Sequence, residues 1–271
     1  MAAPLRWATY LAPGLRPLYQ LVADRVGREL TVAVELTQAQ DYAEIGAGLY
    51  DLVFVCGLPY IEIVDGLVAA LTPLAAPVPT GTRYEDRAVY FSDVIVGPAS
   101  GARRFADLRG CRWAFNETGS HSGYLVTLHH LARMGESTGF FREWMDAGYH
   151  HEAMRMVAAG EVDAAAIDSQ VLEVLLERDP ALASRLRVIE TLGPSPIQPL
   201  VACPSVPVAV QADVRAAVLA LGSLPDERTV MEQAHVARFV AVEDSAYDPT
   251  RRMLDTVRMA GLWTAPRPAF H

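Results

Sequence analysis

Cysteine is scarce in this chain. Cys56, Cys111 and Cys203 are its only three, and they lie far apart. There is no CxxC pair and no Cys/His group at zinc-site spacing, so no metal site is expected. The odd count rules out a full disulfide framework and leaves room for at most one bridge. Cys56 ends the apolar run from Leu52 and reads as a small core residue. Long apolar runs are missing as well, and none reaches the length needed to span a bilayer. Met1 to Trp7 shows no charged segment followed by an apolar one, which leaves a removed signal or a cytoplasmic protein as alternatives. Walker, GxGxxG, HExxH and GxSxG patterns are absent, so no cofactor and no nucleophile elbow are expected. Positive charge is in deficit: 23 Lys and Arg stand against 32 Asp and Glu, a net charge of -9. Such a balance disfavours nucleic acid and anionic membrane as partners. An anionic ligand would need a local positive site.

What is present is ample for two lobes. The chain has 271 residues, 51% hydrophobic and 20% charged, within the globular range. Strand-like and helix-like segments alternate, which predicts an α/β architecture. Leu5 to Tyr10 reads as a strand, and Pro17 to Leu30 as a helix with apolar residues at helical spacing. Thr31 to Thr37 and Asp51 to Cys56 read as strands, with Gly57-Leu58-Pro59 ending the second. Strands are further expected at Val89 to Val96, Arg112 to Asn116, Asp163 to Ile167 and Arg187 to Leu192. Helices are expected at about Ser122 to Met134, His151 to Ala159, Ser169 to Glu177, Gln211 to Leu221 and Pro249 to Met259. An extended crossing near residues 90–93 and a Pro-rich one near 198–202 divide the chain into lobe 1 (1–91 and 202–271) and lobe 2 (92–201).

Three groups of residues carry candidate chemistry. In the first, a strand leads through Gly119-Ser120-His121-Ser122-Gly123 into a helix. A helix start leaves backbone N–H groups without intrahelical partners and carries positive potential. Small residues let an anion approach, although Ser at such a position also serves as an ordinary N-cap. In the second, His150 stands at a helix start, and Asp168 and Ser169 stand at the carboxyl end of a small apolar strand. Ligands sit outside such strand ends in open α/β sheets, and helix capping by His150 and Asp168 is the competing reading. The third is a set of tyrosines, Tyr10, Tyr42, Tyr60 and Tyr90, each near a predicted strand end. A Ser–His–Asp set can be written from Ser120 or Ser122, His150 and Asp168, but no elbow motif supports it.

The order of motifs resembles the phosphonate-binding (PhnD-like) family of ABC-transporter receptors. Ser120-His121-Ser122-Gly123-Tyr124 is similar to that family's S-T-S-G-Y loop, and Gly148-Tyr149-His150 to its G-S-H. Gly160 to Ser169 is similar to its G-x-V-D-A-A-x-D-S. Asp41 to Ile45, Asp51 to Tyr60 and Phe105 to Gly110 match further family segments. The resemblance implies a two-lobed type II periplasmic-binding fold with an interlobe ligand cleft. It implies a solute-binding protein that closes around a small phosphonate- or phosphate-like anion and serves an ABC-transporter permease outside the cytoplasm. The oxyanion loop then maps onto Ser120, His121 and Ser122, and the ligand histidine onto His150; the helix start itself predicts an oxyanion at the backbone N–H groups of Ser120 to Gly123. The aromatic pocket maps onto Tyr42, Tyr60 and Tyr90, and an acidic residue onto Asp168, while Tyr10 is a candidate by its strand-end position alone. His121 replaces the central Thr of the pattern, and Tyr149 replaces the Ser before the histidine. The alternatives are a cytoplasmic enzyme on the same fold, similar to menaquinone-pathway proteins, and a ligand-sensing module.

Overall fold

The computed structural model describes residues 4–263. The chain divides into two units, one of residues 4–89 with Pro196–Asp248, the other of Tyr90–Ser195 with 249–263. This differs from the expected division in sending the final helix to the second unit. The strands described are β1 (Leu5–Thr9), β2 (Val34–Gln38), β3 (Leu52–Phe54), β4 (Thr72–Pro79), β5 (Val89–Val96), β6 (Arg112–Phe115), β7 (Glu143–Asp146), β8 (Ala164–Asp168), β9 (Arg187–Pro196), β10 (Leu200–Ala202) and β11 (Val236–Ala241).

The first unit holds a sheet in the order β11-β4-β10-β3-β1-β2. β1 runs parallel to β2 and β3, while β10 and β11 are antiparallel to their neighbours. The connection between β1 and β2 is the helix Arg16–Leu30, which buries Leu18, Tyr19, Val22 and Val26. That helix ends at Thr31 with a left-handed φ of 55°. The strand expected from Thr31 therefore starts three residues later, at Val34. β3 is also shorter than expected. Gly57-Leu58-Pro59 does not break the chain but forms the first turn of the helix Gly57–Asp65, with Cys56 as its N-cap. Proline is tolerated there because first-turn N–H groups have no intrahelical acceptor.

β4 was not foreseen, because Pro73, Pro77 and Pro79 argue against a strand between two neighbours. Its ladders shift register between Leu200 and Val201 and between Val236 and Arg238. Irregularities of this kind let a proline sit where its missing N–H is not required.

The second unit holds a sheet in the order β7-β6-β8-β5-β9. β6 is parallel to both β7 and β8, and β5 is antiparallel to β8. The carboxyl ends of β6, β7 and β8 therefore point the same way. The loop after β6, the turn after β7 and Asp168 at the end of β8 emerge at one edge, where β5 begins. Ser92 pairs with Asp168 across this ladder and Val94 with Ala166. Ile95, Ala165 and Ile167 face the other way, into a core with Ala153, Met154 and Val157 from the helix before β8 and Leu172 from the helix after it. A second apolar cluster stacks Trp113 on Phe141 at 4.5 Å, with Phe105 and Phe140 against it. Fully burying a large apolar side chain contributes about 1.5–3 kcal/mol, so these two clusters fix the strand ends on which the loops stand.

Candidate ligand-binding site

The helix after β6 opens unusually. His121–Leu125 is a π-turn that leads into the α-helix Val126–Met134. The Leu125 N–H donates to Ser120 O at 3.0 Å. Such wide turns recur at functional sites. Ser120 caps the turn, its Oγ accepting from the Gly123 N–H at 3.0 Å. Ser120 N–H donates to Glu117 O at 3.1 Å. The N–H groups of Ser120 and Gly123, both expected to face an anion, are thus engaged within the protein. Gly123 is required by close approach: a Cβ there would lie 2.1 Å from Asn116 Oδ1 and 3.3 Å from Asn116 N.

His150 is the first residue of the helix His150–Ala159, and Tyr149, its N-cap, makes no side-chain cap bond. His150 does not cap its helix. Its Nε2 lies 2.8 Å from Ser122 Oγ, which joins the two sequence-predicted segments at one point. The ring is 7% exposed, and its Nδ1 has no hydrogen-bond partner. Burial, aided by His151, lowers its pKa to about 3, so the imidazole is neutral at ordinary pH. If the Ser122 hydroxyl donates to Nε2, Nδ1 carries the proton and is a donor. Because Nδ1 is unpartnered, no carboxylate orients the ring. The Ser–His–Asp set is therefore not assembled.

Asp168 caps the helix Ser169–Arg178, its Oδ1 accepting from Gln170 N–H at 2.9 Å and Val171 N–H at 3.2 Å. Ser169 Oγ accepts from the Phe91 N–H at 3.0 Å. His121 is fully buried, with Nε2 3.0 Å from Ser195 Oγ and Nδ1 3.4 Å from Thr250 Oγ1. Tyr90 meets the His121 ring edge-on at 6.0 Å.

The other tyrosines belong to the first unit. Tyr10 stacks on Tyr42 at 4.7 Å and donates from its hydroxyl to Asp41 O at 3.0 Å. Tyr60 is fully buried, donates to Asp244 Oδ1 at 2.6 Å and packs edge-on against Tyr247.

This geometry can be set beside known proteins. Residues 9–247 match the family described as ABC transporter, phosphonate, periplasmic substrate-binding protein. The chain belongs to this family. It is 26% identical to the phosphonates-binding periplasmic protein of Escherichia coli (strain K12) over 92% of this chain and 74% of that one. The binding-protein component of an ABC phosphonate transporter from Pseudomonas aeruginosa superposes with a TM-score of 0.83 at 20% identity, covering 96% of this chain and 88% of that one. PhnD1 from Prochlorococcus marinus (MIT 9301), solved in complex with methylphosphonate, superposes with a TM-score of 0.80 at 18% identity, covering 94% and 98%. The fold is accordingly the two-lobed α/β fold of periplasmic binding proteins.

Tyr149, which replaces the serine of the family pattern, packs against the residue after His150. Its ring stacks on His151 at 5.5 Å. Four contributors escaped the sequence reading. Asn116, the only asparagine in the chain, holds its Oδ1 buried and without a hydrogen-bond partner beside Gly123. Ser92 is fully buried with an unpartnered Oγ opposite Asp168. Ser195 and Thr250 hold His121. Only Asn116 left a signal, as a polar residue directly after an apolar strand. The sequence contains no lysine, and the donors gathered at the loop are uncharged hydroxyls, imidazoles and backbone N–H groups.

Proposed function

We propose that this chain is the extracytoplasmic receptor that binds a phosphonate- or phosphate-like oxyanion and delivers it to an ABC transporter. The backbone N–H of Ser122 and His150 Nδ1 are the proposed contacts, with the Ser122 hydroxyl donating to His150 Nε2. One observation carries the reading: a buried histidine, tied through Nε2 to the loop at a helix start, has its other nitrogen unpartnered. Leaving a buried polar group unsatisfied costs about 1–3 kcal/mol, and a ligand oxygen would recover that cost. Neutral donors at a helix start suit an anion in a protein of net negative charge, because the dipole supplies positive potential without a buried cation. Family membership supports the transport role and the extracytoplasmic location, and no helix among the described residues is long and apolar enough to cross a membrane. The relatives named above are binding proteins. The enzyme alternative has no such support, and the separate Ser–His–Asp set lacks a bond from Asp168 to His150.

Calorimetric titration with methylphosphonate, phosphate, phosphite, sulfate and small carboxylates tests the proposal. Saturable binding of a phosphonate or phosphate is expected. Failure of the whole panel, with a neutral molecule binding instead, would overturn it.

A further inference from the structure

Among the described residues the chain passes from one unit to the other at three places: Val89/Tyr90, Ser195/Pro196 and Asp248/Pro249. His121 touches the second-unit side of all three. Tyr90 meets its ring at 6.0 Å, Ser195 Oγ lies 3.0 Å from Nε2, and Thr250 Oγ1 lies 3.4 Å from Nδ1. All four residues are buried, at 0% exposure for His121 and Thr250 and 1% for Tyr90 and Ser195. Thr250 lies 129 residues from His121 along the chain. Imidazole suits this arrangement, since its two nitrogens lie on opposite sides of the ring. In the neutral form one donates and the other accepts, and a rotating hydroxyl can satisfy either.

We propose that His121 is a positioning residue rather than a ligand contact through its side chain. It fastens the Ser120–Ser122 loop to the three crossing segments, so that order in the loop and order in the crossings rise and fall together. Its backbone N–H remains with the loop. A histidine that merely fills a core would stabilise the unit evenly and single out no segment. The inference needs the ligand reading only for its second test.

The first test is amide hydrogen exchange on the ligand-free protein. In His121→Ala, amides of residues 120–125 and of the crossings 89–91, 194–197 and 249–251 should exchange faster together. Roughly two- to tenfold is expected per lost bond of ordinary net strength, with the rest of the second sheet unchanged. His121→Gln, whose amide reaches toward the Nε2 position, should restore protection at 194–197 and not at 249–251. Ser195→Ala and Thr250→Val approach from the other side and serve if the His121 variants do not fold. Each should accelerate exchange in the loop. Acceleration confined to the loop in His121→Ala, or an unchanged loop in both crossing variants, would overturn the proposal. The second test adds methylphosphonate. In the wild type, protection should spread from the loop to the crossings, and in His121→Ala it should stop at the loop. If the wild type binds no member of the panel, the ligand reading fails, and the ligand-free measurements still decide the role of His121.

Discussion

At the residue scale, His150 and Gly123 give the sharpest expectations. A hydrogen bond to a charged oxyanion contributes about 1.5–3 kcal/mol, so His150→Ala should weaken methylphosphonate binding roughly ten- to a hundredfold. Melting curves should show a folded protein. Because burial holds the imidazole neutral, with a pKa near 3, its contribution to affinity should stay flat between about pH 6 and 8. Wild-type and variant titrations at several pH values check this. A gap between them that narrows steeply as pH rises would show that an imidazolium is the donor. For Gly123→Ala, the new methyl would overlap Asn116 Oδ1 and press on Asn116 N. Overpacking of this kind costs about 1–3 kcal/mol, and the displaced loop should also bind ligand less well. Asn116→Ala in the same chain removes the side-chain overlap but not the 3.3 Å backbone approach. It should therefore recover part of the lost stability in denaturant melts, and no recovery would place the strain elsewhere.

At the element scale, the end of β8 shows how one carboxylate serves two readings that can be separated. Asp168 accepts from two first-turn N–H groups of the helix it precedes. Asp168→Ala should cost about 1 kcal/mol by loss of the cap, and Asp168→Asn should cost much less. If Asp168 also faces a cationic group of the ligand, Asn should keep the stability yet weaken binding of an amine-bearing phosphonate relative to methylphosphonate. Equal affinities in wild type and Asp168→Asn for both ligands would leave Asp168 as a cap alone. The same strand end explains why the loop is so well placed. The parallel run of β6, β7 and β8 brings the residues that follow each strand to one edge, while Ala153, Met154 and Leu172 clamp the opposite face of the sheet.

For the whole molecule, the buried histidines set an acid limit. Burial lowers both His121 and His150 to about 3, below the value of 6.5 for a free histidine. Half-buried His129 and His130 shift in the same direction, also through burial. Above pH 6.5 these rings are neutral in folded and unfolded chains and add no pH dependence. Below it, the unfolded chain takes up protons that the folded chain refuses, so stability falls as pH drops from about 6.5 toward 3. Each fully buried ring should contribute about 1.4 kcal/mol per pH unit in that window. Carboxylates act lower. The hydrogen bond with Arg112 holds Asp163 below its ordinary 3.8, so its stabilising contribution is present above that pH and disappears only under it. Denaturant melts between pH 7 and 4.5 should therefore show a steady loss that is smaller in His121→Gln. A flat profile in this window would refute the burial argument.

The sequence by itself determined the local elements and the order of the motifs. The helix Arg16–Leu30, strand β5 and the cap at Asp168 follow from spacing, β-branching and side-chain reach over a few residues, and all three stand close to where the residues placed them. The tertiary structure decided what depends on partners distant in sequence. β4 is a strand despite three prolines because β10 and β11 hold it on either side, with ladder shifts beside Pro73 and Pro79. β7 and β11 lack a strong pattern of their own and are held by β6 and β4. Gly123 reads as one more helix-start glycine until Asn116 is placed against it. His121 looked like a ligand residue by its position in the loop. Only folding brought Ser195 and Thr250 to its two nitrogens, 74 and 129 residues away along the chain, because a side chain's partners are set by packing across the fold and not by its neighbours in sequence.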